Sequence, residues 1–207
     1  MVRTGDRQAL AAADAAIPTL DNDALIIRLL FTINHLSRWL TPIHGQMVLN
    51  RSRRIGEPSV KELLLRLRHE ELRILPKLHA IATRTNPDLD KLPLGERTAK
   101  EEAWDRRAST IEVLAEFRRF RLSSTSLLRS LPDDAWSRVG ISRREHDWTP
   151  RRLGEHLLRH DLDVLAEIDR VLDASGVRHG ITAASRVNLG ALLSLNPAAL
   201  APTRTDG

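Results

Sequence analysis

Apolar residues recur every three or four positions in four long stretches of the chain, a spacing typical of amphipathic helices. Between these stretches the apolar periodicity breaks down, and Pro, Gly and acidic residues collect. No stretch alternates apolar and polar residues as a half-buried strand does. The pattern predicts four helices, at about 22–41, about 60–84, Ile111 to about 130, and about 150–174.

Residues that start and stop helices stand at the ends of these stretches. Asp21 or Asn22 can cap the first helix, and Ser59 with Glu62 has the spacing of a capping box before the second. Pro76 lies inside the second stretch, where it removes a backbone hydrogen bond and crowds the preceding turn. We therefore predict one kinked helix there rather than two.

The connections between the predicted helices are long. Residues 85–106 are predicted to form a connection with one short helical turn near Trp104, and a second loop follows Pro132. Thr149 and Pro150 then form a start signal for the last helix. Connections of this length exceed those of the simplest bundle and indicate crossovers or functional loops. The expected fold is an all-α four-helix bundle with long connections and a C-terminal tail.

The pattern divides the chain into three parts. Residues 1–20 are predicted to be an N-terminal extension, 21–174 the helical bundle domain and 175–207 the tail. The tail carries a short apolar patch that is expected to dock on the bundle or on a partner. This patch consists of Val187, Leu189, Leu192, Leu193 and Leu195.

Composition narrows the class of protein. The chain has 207 residues, of which 42% are hydrophobic, enough for one core and one domain. Cysteine is absent from the sequence, which excludes disulfides, thiolate metal sites and cysteine nucleophiles. Since no apolar run approaches the roughly 20 residues of a membrane span, we predict a cytoplasmic protein without membrane partners.

The net charge of +5 permits nucleic-acid binding but does not argue for it. The basic residues, of which only four are lysine, are spread along the chain among 27 acidic residues. Aromatic residues that could stack on bases are scarce, because tyrosine is absent and phenylalanine numbers three. We therefore expect solvated helix faces rather than a nucleic-acid interface.

His156 and His160 are the sharpest candidates for chemistry. Residues four apart lie on one face of a helix, where two imidazoles can share a metal ion, although this spacing also arises by chance. Helical geometry places His160 within the apolar arc of the fourth helix and His156 at its edge. The alternative interpretation is a pair of partly buried histidines that hydrogen-bond to their neighbours. The other histidines are isolated and predicted to be surface or capping residues: His35, His44, His79, His146 and His179.

A third ligand would have to come from the second helix. The angular argument places His69 on the side opposite the apolar arc, so it is predicted to be solvated. Glu71 falls inside the arc, with Glu70 and Arg66 on one edge. A buried carboxylate needs a partner, which for Glu71 is an arginine of a neighbouring helix, a metal or a substrate cation.

Three segments together resemble the DinB-like (DinB/YfiT) superfamily of helical bundles. They are EPSVKELLLRLRHEELRILPKLHAIA, LAEFRRFRLSSTSLLRSLPDDAW and DWTPRRLGEHLLRHDLDVLAEIDRVL. The resemblance covers about residues 22–173. It implies a four-helix bundle with an unusual connection order, frequently a homodimer, and relatives that include thiol-dependent transferases and isomerases with a divalent metal.

The resemblance also implies where metal ligands belong. The pair on the fourth helix should occupy positions 160 and 164, and the histidine of the second helix should occupy position 66. This chain has His160, Val164 and Arg66 there. A guanidinium cannot coordinate a metal, but it can fill the same volume and satisfy Glu70 or an anionic ligand.

Two functions follow as hypotheses from these residues. The first is a protein of unassigned activity whose degenerate metal site serves as a small-ligand pocket or interaction module. Its pocket is formed by Arg66, Glu70, Glu71, His156 and His160, and it needs no cofactor. The alternative is a zinc- or nickel-dependent transferase or isomerase that uses a thiol cofactor. Its metal ligands are shifted to His156, His160 and either Glu70 or Glu71.

Overall fold

The computed structural model describes residues 4–93, 97–182, 185 and 187–194. In these ranges the chain forms α-helices and short 3-10 helices. The extended pairing within them consists of two isolated β-bridges, without a β-strand. The helices are α1 Thr4–Ala16, α2 Asn22–Leu40, α3 Gln46–Asn50, α4 Val60–Thr83, α5 Ala99–Arg107, α6 Thr110–Ser130, α7 Pro150–Ser175 and α8 Leu189–Ser194.

The four predicted helices are α2, α4, α6 and α7, and their ends confirm the start and stop signals. Asp21 caps α2, and Ser59 forms a capping box with Glu62 at the start of α4. Thr149 caps α7. Helix α4 runs through Pro76 as one helix, as predicted. Gly176 ends α7 with φ +70°, a left-handed conformation that glycine adopts without steric cost.

The long helices are not arranged in chain order around the bundle. Helix α4 packs against α6 and α7, and α2 packs against the same two helices. The long helices α2 and α4, which follow one another apart from the short α3, therefore lie diagonally across the bundle, as do α6 and α7. The connections before α4 and before α7 must cross an end of the bundle, which explains their length.

The connections contain more structure than predicted. The single turn expected near Trp104 is the nine-residue helix α5, which has its own capping box formed by Thr98 and Glu101. In the loop before α7, Gly140 exchanges two backbone hydrogen bonds with Trp148. Within the described residues, no helix is long and apolar enough to cross a membrane.

The interior consists of two apolar clusters stacked along the bundle axis. One contains Leu36, Leu64, Phe117 and Ile168, and the other contains Leu25, Leu78, Leu128 and Leu157. The helices supply charged and hydroxyl side chains at the level between the two clusters. We call this set the buried polar layer: Thr32, Glu71, Arg121, Ser124 and Asp161.

The chain before and after the bundle packs on it. Helix α1 contacts α7 and α8. From the predicted apolar patch, Leu189 is fully buried and donates its backbone N–H to Asp169 over 3.1 Å. The Val187 carbonyl accepts a 2.8 Å hydrogen bond from the indole of Trp39. Leu195 lies outside the described residues.

Candidate functional site

Arg121 lies at the centre of the buried polar layer and joins three other helices. Its Nη1 and Nη2 donate to Asp161 of α7 over 2.5 and 2.9 Å, and its Nε donates to Glu71 of α4. Nη1 also donates to the backbone carbonyl of Leu29 in α2 over 3.0 Å. The partner of Glu71 is thus an arginine of a neighbouring helix, one of the three partners considered for it.

Hydroxyl groups complete the hydrogen bonding of the two carboxylates. Ser124 donates to Glu71 over 2.5 Å, and Thr32 donates to Asp161 over 2.7 Å. Burial alone lowers the pKa of Arg121, but the charges of Asp161 and Glu71 outweigh it and raise that pKa above the ordinary value. The guanidinium stays charged and holds four helices together, so these residues are structural rather than open to a ligand.

A second polar cluster lies on the edge of the interface between α4 and α7. Arg73 donates to both carboxylate oxygens of Glu70, from Nε over 3.1 Å and from Nη2 over 2.6 Å. Nε2 of His156 lies 2.5 Å from Glu70 Oε1 and 3.1 Å from Arg73 Nη2. We call these three residues the arginine bridge. Because a carboxylate only accepts, Nε2 of His156 carries the hydrogen of its bond to Glu70.

The arginine bridge stabilises the charged form of Glu70. Burial alone raises the pKa of this carboxyl, but the hydrogen bonds and charges of His156 and Arg73 lower it to about 2. Both oxygens of Glu70 accept hydrogen bonds from Arg73, and Oε1 also accepts one from His156. A cation would therefore have to compete with a bidentate guanidinium to bind this carboxylate.

The loop before α7 closes one side of the arginine bridge. Glu145 of this loop accepts from Arg73 over 3.2 Å and from the buried Lys77 over 2.8 Å. The indole N–H of Trp148 donates to the same carboxylate over 2.7 Å, and the ring of Trp148 packs edge-on against His156. The loop is thereby fastened to both helices that carry the site.

The remaining predicted pocket residues are distributed differently. Arg66 does not reach Glu70: its side chain is 54% exposed and pairs with Glu167 of α7 over 3.0 Å. His160 is half-buried, and its Nδ1 has no hydrogen-bond partner among the described residues. Burial is the main cause that lowers the pKa of His160. Among these five residues, the side-chain hydrogen bond between Glu70 and His156 is the one that the structure describes.

The residues present do not fit a metal site of the kind that the resemblance implies. Of its three positions, Val164 is buried in the apolar core and Arg66 is a surface cation, so only His160 retains a donor atom. The shifted set of His156, His160 and Glu70 does not converge either. Within the described part of the chain, no three His, Asp or Glu side chains are placed to hold one ion.

The structure modifies two predictions about histidines. His69 was predicted to be solvated; its ring is 35% exposed and lies 3.1 Å from Asp105, a buried carboxylate that also pairs with Arg68. His35 is half-buried against an apolar cavity rather than on the surface. Angular position on one helix cannot reveal a neighbour from outside the bundle. Asp105 of α5 is such a neighbour of His69, and residues of α1 line the cavity that His35 borders.

Sequence reasoning missed the residues that organise both polar clusters, although a signal for two of them was present. Arg121 lies four residues after Phe117, and Asp161 lies four residues after Leu157, so both continue apolar stripes. The angular argument that singled out Glu71 finds them as well. Arg73 gives no such signal, because charged residues three or four apart are common on solvated helix faces.

The helix order and the long crossovers define the class of this protein: it has the YfiT-like four-helix bundle fold. The likeness is to the solved structure of YfiT from Bacillus subtilis, described as a probable metal-dependent hydrolase with an unusual four-helix bundle topology. The two chains superpose with a TM-score of 0.59 over 75% of this chain and 87% of that one, at 19% sequence identity. The predicted fold is confirmed, and at this identity the likeness concerns the fold alone.

Comparison of the sequence with protein-family models and with curated proteins gave no match.

Proposed function

We propose that this protein is a metal-independent binding protein built on the DinB/YfiT-like bundle, with a degenerate metal site. The observation that carries the proposal is the arginine bridge. Arg73 contacts Glu70 and His156, two of the side chains on which a metal with shifted ligands would depend. A guanidinium in that place supplies a permanent positive charge and no lone pair.

The positions implied by the resemblance support the same proposal. Arg66 and Val164 replace two of the three expected histidines, and neither can coordinate a metal. The surroundings of both residues suit the side chains that are present. Arg66 forms an ion pair with Glu167, and Val164 is packed in the apolar core. A return of the metal would therefore require several changes at once.

The alternative function is a zinc- or nickel-dependent transferase or isomerase that uses a thiol cofactor. The contact between Glu70 and His156 favours it, because it brings together two of its three proposed ligands. This alternative requires Arg73 to leave the arginine bridge and His160 to turn toward the same point.

Elemental analysis and calorimetric titration with zinc and nickel decide between these functions. After purification we expect less than about one metal ion per ten chains. We also expect no stoichiometric binding of zinc or nickel at micromolar metal concentration, whereas a site with three protein ligands would bind at that concentration. Stoichiometric metal that is lost in both His156→Ala and His160→Ala would refute the proposal. The control is His79→Ala, which changes an exposed histidine away from the site. Loss of bound metal in this control would indicate that the metal binds to surface histidines instead.

A gain-of-function variant provides the positive control. Arg66→His combined with Val164→His restores histidines at all three positions that the resemblance implies. We expect this double variant to bind zinc or nickel, whereas either single change does not, since two protein ligands hold these ions weakly. If wild type and the double variant bind metal equally, the site is not degenerate.

A further inference from the structure

The connection between α2 and α4, residues 41–59, exposes apolar side chains at one end of the bundle. We call it the crossover loop. The described residues include seven large apolar side chains that are exposed, and Met47, Val48 and Ile55 of this loop are three of them. A fourth, Ile111, lies in the first turn of α6 at the same end. Single exposed apolar residues are common on protein surfaces, but three in one loop form a patch.

Contacts on its inner side hold the crossover loop in place. Leu49 is fully buried in the apolar cluster that contains Leu36 and Phe117. Asn50 accepts a 2.6 Å hydrogen bond from the hydroxyl of Thr110, the first residue of α6. The loop is thus attached to the bundle, and its three exposed apolar side chains are not part of the core.

The crossover loop is also strongly basic. Arg51, Arg53 and Arg54 stand in the sequence between the exposed apolar residues, and all three are exposed. Positions 41–56 contain no acidic residue. Within the described part of the chain, none of these three arginines pairs with a carboxylate.

The acidic residues that follow the arginines in the sequence are engaged elsewhere. Glu57 pairs with Arg170 of α7 over 3.8 Å. Glu62 belongs to the capping box of α4, in which it accepts a 2.6 Å hydrogen bond from the backbone N–H of Ser59. The positive charge of the crossover loop is therefore not cancelled by its neighbours in the sequence.

We infer that the crossover loop binds the surface of a bilayer that contains anionic phospholipids. The planar fork of each arginine matches the oxygens of a lipid phosphate. Met47, Val48 and Ile55 enter the boundary between headgroups and acyl chains, where apolar side chains leave water. The aliphatic stems of the arginines lie along the same boundary while their charged ends stay at the phosphates.

Two other occupants fit the crossover loop less well. Duplex DNA offers phosphates, but the exposed aliphatic side chains would gain nothing from a phosphate backbone. A second copy of this chain offers an apolar patch, but in a symmetric contact it would bring the same arginines face to face. A bilayer with anionic headgroups satisfies both the charge and the apolar surface.

The inference goes beyond the proposed function and does not depend on it. The crossover loop shares no residue with the arginine bridge or with the metal positions that the resemblance implies. The prediction of a protein without membrane partners concerned spanning segments, whereas a peripheral contact requires only a surface of this kind.

Flotation of the full chain with lipid vesicles tests the inference. We expect binding to vesicles of equal parts phosphatidylglycerol and phosphatidylcholine. Binding to pure phosphatidylcholine should be weaker by about a hundredfold, because each of three arginines contributes about fivefold beside an anionic surface. Raising the salt from about 0.15 M to about 1 M should weaken binding at least tenfold, since the Debye length falls from about 8 Å to about 3 Å.

Three results of this experiment would overturn the inference. The first is absence of binding to the anionic vesicles, and the second is equal binding to both kinds of vesicle. The third is retention of duplex DNA without binding to the anionic vesicles, which would show that the arginines bind nucleic acid.

Two triple variants with the same net charge locate the contact. The first changes the loop and should bind anionic vesicles about a hundredfold more weakly: Arg51→Gln, Arg53→Gln and Arg54→Gln. The second changes exposed arginines away from the loop and should lose less than about fivefold: Arg84→Gln, Arg118→Gln and Arg129→Gln. Equal losses would show that overall charge, rather than the loop, attracts the protein, and would refute the inference.

Thermal melting shows whether each variant has folded. If the loop variant melts well below the wild type, the three single substitutions replace it, each with an expected loss of about fivefold.

The apolar part of the contact has its own test. Ile55→Ser should weaken binding to anionic vesicles about tenfold and leave its salt dependence unchanged, because it removes apolar surface and no charge. Ile27→Ser, at an exposed position of α2, should bind like the wild type. Wild-type affinity in Ile55→Ser would refute insertion of the loop.

A fluorescent label reports which face meets the lipid. Because the sequence has no cysteine, Ser52→Cys provides a single attachment point for the environment-sensitive dye NBD. Its emission should rise and shift to shorter wavelength when anionic vesicles are added. The same dye on Ser126→Cys, on the exposed face of α6, should not respond. A response at position 126 without one at position 52 would place another face on the bilayer and refute the inference.

Discussion

At the scale of single residues, the most consequential side chain is Arg121. It is fully buried and contacts two buried carboxylates and a backbone carbonyl. The desolvation of three charges is offset only while all the partners remain, so each charge depends on the other two. The buried polar layer therefore stabilises this arrangement of the helices, and removal of any one of its charged side chains is expected to lower the stability of the fold strongly.

Arg121→Met is expected to lower the free energy of unfolding by about 3–5 kcal/mol, because it leaves Glu71 and Asp161 buried without a counter-charge. Urea denaturation followed by circular dichroism measures the change. Arg118→Met, at an exposed position of the same helix, should change it by less than about 0.5 kcal/mol. Equal effects of the two substitutions would contradict the structural importance of the layer.

His35 provides a prediction of pH dependence. Its pKa is about 4 in the folded protein against 6.5 in the unfolded chain, because burial and two arginines disfavour the imidazolium. Below pH 6.5 the unfolded chain binds this proton and the folded protein does not, so stability falls as the pH decreases from 6.5 to 4.

The replacement His35→Gln should remove this contribution, and its stability curve should be flatter than that of the wild type between pH 6.5 and 4. Urea denaturation at intervals across that range measures both curves. His79→Gln, at an exposed position of α4, should follow the wild type. Parallel curves for His35→Gln and the wild type would show that His35 is not protected from protonation.

At the scale of helices and loops, the sequence determines most of what the structure contains. The ends of α2, α4 and α7 follow from local capping chemistry, which depends on residues within one turn. The length of helix α5 was underestimated, because Trp104 is its one large apolar residue and apolar periodicity therefore gives little signal. The crossovers were indicated by loop length, but which helices become neighbours depends on packing.

The capping box of α4 gives a prediction at this scale. Ser59→Ala removes the acceptor for the backbone N–H of Glu62 and should cost about 1 kcal/mol of stability. Ser126→Ala, on the exposed face of α6, should cost less than about 0.5 kcal/mol. Thermal unfolding of the two variants makes the comparison, and similar melting temperatures would rule out a contribution from the cap.

At the scale of the whole molecule, the candidate site could be predicted only in part. The sequence pointed to the correct pair of helices and to Glu70 and His156, which do meet. It could not assign the partner of either residue, since Arg73 and Glu145 reach the site from a solvated face and a loop. The cavity could not be foreseen at all, because it exists only where α1 and α8 close over the bundle.

The docking of the C-terminal segment can be tested through Trp39. Leu189→Ala should weaken the packing of α8 on the bundle and expose the hydrogen bond from the Trp39 indole to Val187. Truncation of a buried leucine costs about 2–5 kcal/mol, so exchange of the indole N–H should accelerate at least about tenfold. NMR hydrogen exchange records this rate.

Ile27→Ala, which truncates an exposed apolar residue of α2, is the control and should not alter the exchange rate of Trp39. An unchanged rate in Leu189→Ala would mean that Trp39 is protected without the C-terminal segment.

The buried arginine has a further consequence for how the chain selects one fold among its near competitors. Four apolar stripes can be buried almost equally well in bundles of opposite handedness or exchanged helix order. In those alternatives Arg121 would not face Glu71 and Asp161 together, and unpaired buried charges would raise their free energy by several kcal/mol. We expect a chain with Met or Leu at all three positions to remain helical and stable, yet to populate more than one topology. Its polar interior, rather than its apolar one, then restricts this protein to a single arrangement.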